Sequence, residues 1–426
     1  MIEGGSKMKL DRQQQAVVES KANNILVIAG AGSGKTRVLT ERVKAILERG
    51  VQPHNVVVIT FTNIAAEELK ERLQTVNGIG DAFIGTIHSF ANRIYKNSGV
   101  HYSLLTEEAE QMIYEEILNR PQYKALTVTR WLKYMDLVKL AEMGRIDENA
   151  PHEFLTPPES NVLYKCRPDV QKIMKRDGII TFDELIDHAT AYYKSLGAAI
   201  EYLFVDELQD IGTREYKFIR ALDADNYFFV GDDWQAIYGF KGGNVDIFTS
   251  LAKDKKFTNY YLENNYRNAE SIVKIGERVI RQVPNRIKKR TNIISNNRGI
   301  VTTQTKAQTN KILRLLQADK ENYRDWFILT RSNRDAYKLA DLLDDNDIDY
   351  CFVRKSDLTL DELKEAMKAN QVKIMTVHAS KGLENKKVIL YGNFPIEQPH
   401  YLNNPEERKV MYVGVTRAKQ ELHIFN

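Results

Sequence analysis

The sequence predicts an α/β chain of two parallel-sheet domains with a helical insertion in the first. Three observations carry this. Short apolar runs alternate with amphipathic stretches at helical spacing from Leu10 to Phe90 and again from Trp326 to Phe425. Within the first series a glycine-rich turn, AGAGSGKT at Ala29–Thr36, joins an apolar run to an amphipathic one, the strand–turn–helix unit of parallel sheets. Between Glu107 and Ile200 helical periodicity with mixed Lys and Glu takes over, broken at Thr156, Pro157 and Pro158. A chain of 426 residues also exceeds one ordinary core. These shifts place the first domain in 1–100 and 178–255, the insertion in 101–177 and the second domain in 256–426.

In chain order, Leu10–Val17 reads as a short helix. Alone, its Gln13 would be part of a solvated face; the strand that follows makes its amide, which donates and accepts together, a candidate for an adenine edge. Ile25–Ile28 is a buried strand, and Arg37–Glu48 a helix with Val38, Leu39, Val43, Ile46 and Leu47 on one side. Between them Gly30, Gly32 and Gly34, with Ala31 and Ser33, let successive backbone N–H groups turn inward on phosphates. Lys35 then reaches the β- and γ-phosphates and the Thr36 hydroxyl suits Mg²⁺. Ala29 stands where the strict pattern begins with glycine.

Val56–Ile59 is a second strand running into Thr60, Phe61, Thr62 and Asn63 and the helix Ala65–Leu73; Ala82–Ile84 is a third, running into Thr86, His88 and Phe90. Hydroxyls, an aromatic ring and a histidine at strand ends suit phosphate contact and base stacking, although a lone His88 is more often a cap or a core residue. Gly178–Leu185 marks the return to the first domain. Tyr202–Val205 then delivers Asp206 to Asp210, DELQD. A carboxylate at the tip of an apolar strand is costly unless solvated or holding a cation. Asp206 with Thr36 therefore makes a Mg²⁺ site, and Glu207 is placed to orient and deprotonate a water. DELQD alone reads equally well as an acidic loop. Tyr227–Val230 delivers GDDWQAIYGFKG, putting Gln235 near a γ-phosphate while Tyr238, Phe240 and Lys241 offer stacking and charge to a single strand. Packed aromatics would look the same at Tyr238 and Phe240.

Beyond Asn244 come Tyr261–Arg267 and a basic stretch, Arg286–Arg290, of the kind that is most often a solvated face. The strand and helix rhythm then resumes with Trp326–Thr330, a helix through Leu343, Tyr350–Val353, a helix over Asp361–Ala369, Val372–Thr376 and Val388–Tyr391. A helix over Glu406–Lys419 feeds the closing strand Leu422–Phe425. This half has no phosphate loop, but such a half can lend arginines to its neighbour's nucleotide.

Composition narrows the setting. A net charge of +4 permits an acidic polymer as partner without requiring one. Two distant cysteines, Cys166 and Cys351, give neither a disulfide framework nor a metal spacing, and no apolar run approaches membrane-spanning length. A reducing, cytoplasmic home and no membrane partner are expected.

LDRQQQAV, AGAGSGKTR, TFTNIAAEEL, GTIHSF, VDELQD, GDDWQAIYGFKGG, NNYRN, TVHASKGLE and EERKVMYVGVTRAK follow one another from Leu10 to Lys419. In this the chain resembles the UvrD/Rep/PcrA group of superfamily 1 DNA helicases. The resemblance implies two RecA-like, P-loop NTPase domains with Mg²⁺ and ATP in the cleft between them and single-stranded DNA crossing both. It implies that Gln13 contacts adenine, that Arg37 and Tyr266 sandwich its ring and that Glu384 touches the ribose. Lys35 and Thr36 would serve phosphate and Mg²⁺, Asp206 the Mg²⁺, Glu207 the water and Gln235 the γ-phosphate, with Arg267 and Arg417 as arginine fingers. Phe61, Tyr238 and Phe240 would stack on bases, and Thr62, Thr86, His88, Lys241, Thr376 and His378 would contact backbone or sugar. The implied activity is 3′ to 5′ translocation and unwinding at single-strand/duplex junctions, with a loading, repair or replication protein as a further partner. Readings that differ are a translocase that strips bound proteins and an ATP-gated DNA-binding module. DNA rather than RNA rests on the resemblance, since stacking and phosphate contacts are common to both.

Three departures stand out. Phe240 and Lys241 replace the family's usual Trp and Arg, and Trp234 occupies a slot that is usually acidic. Only Asn333–Val372 lies where relatives carry a large helical domain, so a reduced member of two motor domains and one insertion is expected. Because that domain restrains unwinding in relatives, the monomer is expected to need no relief from it.

Overall fold

The computed structural model describes residues 9–142, 150–197, 200–239, 242–354, 358–394 and 404–426. The apolar runs form strands. In chain order these are β1 (Asn24–Ala29), β2 (Val56–Thr60), β3 (Phe83–Thr86), β4 (Ser103–Leu104), β5 (Ile179–Ile180), β6 (Tyr202–Val205), β7 (Asn226–Gly231) and β8 (Thr258–Leu262). They continue as β9 (Asn264–Asn265), β10 (Asn292–Ile293), β11 (Ile300–Gln304), β12 (Trp326–Thr330), β13 (Tyr350–Phe352), β14 (Val372–Thr376), β15 (Asn385–Tyr391) and β16 (Ala418–Phe425). Two six-stranded sheets result, ordered β3-β2-β6-β7-β1-β8 and β11-β16-β15-β12-β14-β13, and every pairing within them is parallel.

Parallel strands are covered on both faces, which is why they read as unbroken apolar runs. Successive residues feed opposite cores. In the first sheet Leu26, Ile28, Val57, Ile59, Leu203, Val205 and Phe229 face one side, and Ile25, Val27, Val56, Val58, Phe204 and Phe228 the other. The second sheet divides likewise, Phe327, Leu329, Val388 and Leu390 against Trp326, Ile328, Ile374 and Ile389. Of the strands not anticipated, β8 (TNYYL) and β11 (IVTTQ) lie at sheet edges and lack a buried run, while β4, β5, β9 and β10 form two-residue pairs outside the six-stranded sheets. β8 pairs with β1, Ile25 opposite Thr258, so the chain leaves the first sheet after Leu262 and not at residue 255.

The insertion is helical: Glu107–Leu118, Val128–Glu142, Ala150–Phe154, Pro157–Lys165 and Arg167–Asp177. It has its own core around Ile113, Ile117, Trp131, Val162 and Ile173, and the β4–β5 pair brackets it. In the second half, helices Asn333–Asp344 and Leu360–Lys368 and strand β13 occupy the span between β12 and β14. The last helix is Pro405–Val415; it stops short of the expected Lys419 because Ala418 and Lys419 already pair in β16 beside Asn385. Among the described residues no helix is long and apolar enough to cross a membrane.

The two halves share a local device. After β2, the Thr60 hydroxyl donates to the Thr62 carbonyl oxygen and Thr62 caps the helix Asn63–Leu73; after β12, Thr330 and Ser332 repeat both bonds ahead of Asn333. Each sheet thus presents a capped helix N-terminus at the carboxyl end of a strand, where α/β sheets place their ligands.

Candidate nucleotide and DNA site

The glycine loop leaves β1 and ends where helix Lys35–Glu48 begins. Gly32 and Gly34 are left-handed, φ 67° and 85°, while Gly30 is not. A Cβ at Gly34 would meet Gln14 Nε2 at 2.8 Å, and one at Gly32 would meet Arg267 Cβ at 2.6 Å, so both positions exclude side chains by conformation and by contact. Gln14 is buried and donates to the Ser33 carbonyl oxygen at 3.1 Å, while its other amide atom closes a capping box with Asp11. Gln14 thus props the loop, a role the sequence reading missed although the Asp11/Gln14 spacing signals the box. Gln13 exchanges bonds with Glu263, accepting from its backbone N–H at 2.9 Å and donating to its carboxylate at 3.3 Å.

The NNYRN segment lies against the loop. Asn265 Nδ2 donates to the Ala31 carbonyl oxygen at 2.9 Å, and the Tyr266 N–H to that of Gly32 at 3.0 Å. Tyr266 is 40% exposed, its hydroxyl bonds the Asp11 carboxylate, and Arg37 is near enough to act on it electrostatically. Arg267 and Lys419 both pair with Glu384, so Glu384 gathers two cations at the cleft.

Strand β6 ends in Asp206, 7% exposed, whose carboxylate accepts from the Glu207 N–H at 2.9 Å. Glu207 is a non-glycine residue with φ 51°. Left-handed backbone of this kind at a site is held by its surroundings. Here Gln209 Nε2 donates to Glu207 at 2.5 Å and to Asp210 at 3.0 Å. Burial and the Glu207 charge push the Asp206 carboxyl up, against the pull of Lys35. For Glu207 burial works in the same direction but is overcome by Lys381 and Lys35, which hold it below the usual range. The two carboxyls are therefore driven apart, Asp206 toward its protonated form and Glu207 toward its ionised form. The buried Asp206 carboxyl, with Thr36 lining the same cleft, is an oxygen donor set that fits a hard divalent cation.

Two residues of the second half complete this part of the cleft. Arg417, 1% exposed, donates to Gln235 Oε1 at 3.1 Å, to the Leu383 carbonyl oxygen at 3.1 Å and to that of Val413 at 3.0 Å. Burial, with the like charge of Arg267, pushes its pKa down to about 9. Lys381, unassigned by the sequence reading, crosses between the halves. Its ammonium contacts Asp210, donates to the Gln235 carbonyl oxygen at 2.9 Å and lies 3.6 Å from Glu207.

One groove of about 2280 Å³ runs on from this cleft, lined by Thr36, Phe61, Thr62, Thr86, His88, Phe182, Asp206, Glu207, Tyr238, Arg267, Thr376, His378 and Glu384. Phe61 and Tyr238 stack at 4.9 Å, with the Tyr238 hydroxyl donating to the His378 carbonyl oxygen at 3.1 Å. Thr62 and Thr86 cap helices and Thr376 Oγ1 accepts the Ala379 N–H at 3.2 Å, so these hydroxyls mark helix or turn N–H groups that face the groove. His88 packs edge-on against Phe182, and burial lowers its pKa, against the pull of Glu215 and Asp183. Phe182 is half exposed in this groove and adds an aromatic ring to its wall; in sequence it stood only within the stretch that marks the return to the first domain. Phe240 and Lys241 lie outside the described residues.

Trp234 and the basic stretch explain each other. The Trp234 indole donates to the Ile287 carbonyl oxygen at 3.0 Å and its ring lies 4.5 Å from Lys289 Nζ. Lys289 is not on a solvated face: 2% of its side chain is exposed, and it pairs with Asp232 and, at 3.0 Å, with Asp233. Two buried carboxylates from β7 draw one lysine of the stretch inward.

Comparison with known proteins gives the family. The UvrD/REP helicase N-terminal domain matches residues 10–256, and the UvrD-like helicase C-terminal domain matches 260–359 and 351–426. The chain is 26% identical over 464 residues to a probable DNA helicase of Mycoplasma pneumoniae, covering 97% of this chain and 83% of that protein. It is 28% identical over 382 residues to the ATP-dependent DNA helicase PcrA of Leuconostoc citreum, and 27% over 373 residues to that of Staphylococcus aureus, each covering 81% of this chain and 50% of the relative. The chain spans about half the length of these PcrA relatives.

Proposed function

We propose that this chain, which belongs to the UvrD-like helicase family, is an ATP- and Mg²⁺-dependent DNA helicase that moves 3′ to 5′ along single-stranded DNA. The observation that carries the reading is the shared lining of one groove: Thr36, Asp206, Glu207 and Arg267 open into the same space as Phe61, Tyr238, Thr86 and His378. Chemistry and strand contact on common walls is what a coupled motor requires.

On this reading Lys35 and the loop N–H groups hold the phosphates, and Thr36 with Asp206 holds the cation. Mg²⁺ would neutralise charge on the phosphate oxygens. Glu207, ionised between Lys381 and Lys35, takes the proton of the attacking water. Arg267 and Arg417 sit across the cleft, so their charge reaches the transferred phosphoryl only with the halves together. Each closure then shifts the Thr376 and His378 side of the groove relative to the Phe61, Thr62 and Thr86 side, which passes the strand along. The short span between β12 and β14 favours a monomer that unwinds without release from a restraining domain.

The test is unwinding of a duplex with a 3′ single-stranded tail against one with a 5′ tail, under single-turnover conditions at subunit concentrations too low for dimers. Unwinding of the 3′-tailed substrate alone is expected. Preference for the 5′ tail would reject the polarity, and activity only at dimer-forming concentrations would reject the monomer. ATP-dependent displacement of streptavidin from a 3′-to-5′ track without unwinding would favour the protein-stripping translocase instead.

A further inference from the structure

Position 234 sits immediately before Gln235, yet its indole points away from the cleft, into the core of the second half. There it meets Tyr412 edge-on at 5.6 Å, on the helix that leads to Arg417, and Ala31 of the glycine loop is buried in the same core. On its other side is the Lys289 ammonium. Lys289 holds Asp232, whose second carboxylate oxygen accepts from Gln235 Nε2 at 2.5 Å; Gln235 Oε1 then accepts from Arg417. A continuous set of contacts therefore runs from Lys289 through Asp232 and Gln235 to Arg417, and back through the Thr416 hydroxyl, the Tyr412 backbone and ring, and Trp234 to Lys289. An amide such as Gln235 has two orientations that differ by exchange of its donor and acceptor. Asp232 accepts at one end and Arg417 donates at the other, which selects one of them.

We propose that Trp234 and Lys289 are positioning residues for nucleotide hydrolysis: they fix Asp232, and through it hold Gln235 and Arg417 as one preassembled unit. A third carboxylate at position 234 would face one ammonium already shared by two carboxylates, whereas the indole supplies a π-face to that ammonium and an N–H to Ile287. Neither side chain lines the groove that holds Thr36, Asp206 and Glu207, so loss of either should slow turnover and leave binding in place. This rests on the reading of the cleft as an ATPase site.

The test compares the wild-type full chain with Lys289→Met, Lys289→Arg, Trp234→Leu and Trp234→Phe. DNA-stimulated kcat, KM for ATP, Kd for a fluorescent ADP analogue and Tm are measured on each. Lys289→Met and Trp234→Leu should lose roughly tenfold or more in kcat while KM and Kd stay within about threefold, the signature of an interaction realised in the transition state. Lys289→Arg and Trp234→Phe, which keep the charge and the π-face, should recover most of the rate. Wild-type kcat in folded Lys289→Met overturns the proposal, as does an equal loss in kcat and nucleotide affinity or a loss that the conservative variants fail to restore. Should Lys289→Met not fold, Trp234→Leu, an apolar replacement in an apolar core, decides by the same criteria. Absence of any Lys35-dependent turnover in the wild type would instead reject the ATPase reading, so the two failures are distinguishable.

Discussion

Replacing Lys381 by methionine should weaken the fold to an extent set by pH. The ammonium lies against Asp210 and 3.6 Å from Glu207 with 8% of the side chain exposed, so methionine leaves the buried Asp210 carboxylate beside the part-buried one of Glu207 without it. Breaking such a pair costs about 3–5 kcal/mol if the charge must stay. Asp210 has an alternative. Burial, opposed by Lys381, already raises its pKa to about 6. Because that lies above the unfolded value, its ionised form weakens the fold; the weakening is present above the folded value and relieved as pH falls through it toward the ordinary Asp value of about 4. In the variant Asp210 takes up a proton, and that proton sets a ceiling on the cost. At pH 8, about two units above the wild-type value, the ceiling is about 3 kcal/mol; at pH 6 it is below about 1 kcal/mol. At about 2 °C per kcal/mol for a domain of this size, Tm should fall by roughly 6 °C at pH 8 and by no more than about 2 °C at pH 6. Scanning calorimetry of ligand-free wild type and variant at the two pH values measures this. An equal loss at both, or none at pH 8, would refute the reasoning.

Glu207→Gln should retain ATP and single-stranded DNA together while hydrolysis falls by about 100-fold or more, read by co-retention on a filter beside phosphate release; unchanged turnover would remove Glu207 from the chemistry. Arg417→Lys keeps a charge but loses the fork that reaches Gln235, Leu383 and Val413 at once, so kcat should drop roughly 1000-fold with nucleotide Kd little altered. Near-normal kcat would show that charge alone suffices. Since Asp206 holds its proton more tightly than an ordinary carboxyl, protons should compete with the cation, and the Mg²⁺ concentration for half-maximal turnover should rise from pH 8 to pH 6. A constant requirement would place the cation elsewhere.

What could be read in the sequence was local. A loop between a buried run and an amphipathic helix, or a carboxylate at the end of Tyr202–Val205, is specified by a few adjacent residues, and the structure puts both at the carboxyl edge of one sheet. β8 and β11 escaped because edge strands need no buried run. The larger omissions were pairings across long separations. Lys289 looks like one of several solvated cations until Asp232 and Asp233, more than fifty residues earlier, draw it inward. Lys381 meets Asp210 across 171 residues, and no periodicity in either segment announces it. Gln13 and Gln14 are chemically identical in sequence; the helix phase set by the Asp11 cap decides that Gln14 turns to the loop and Gln13 to Glu263. Trp234 had no reading for the same reason, since its partners, Ile287, Lys289 and Tyr412, all lie in the other half.

The most direct test of a motor in this cleft is the ATPase rate with and without single-stranded DNA, across a salt series, for wild type and Lys35→Ala. Strong stimulation by DNA that declines with salt and vanishes in the variant is the expected result. A wild type that binds nucleotide and DNA yet hydrolyses no faster with DNA than without would contradict coupling, and would leave an ATP-gated DNA-binding module in its place.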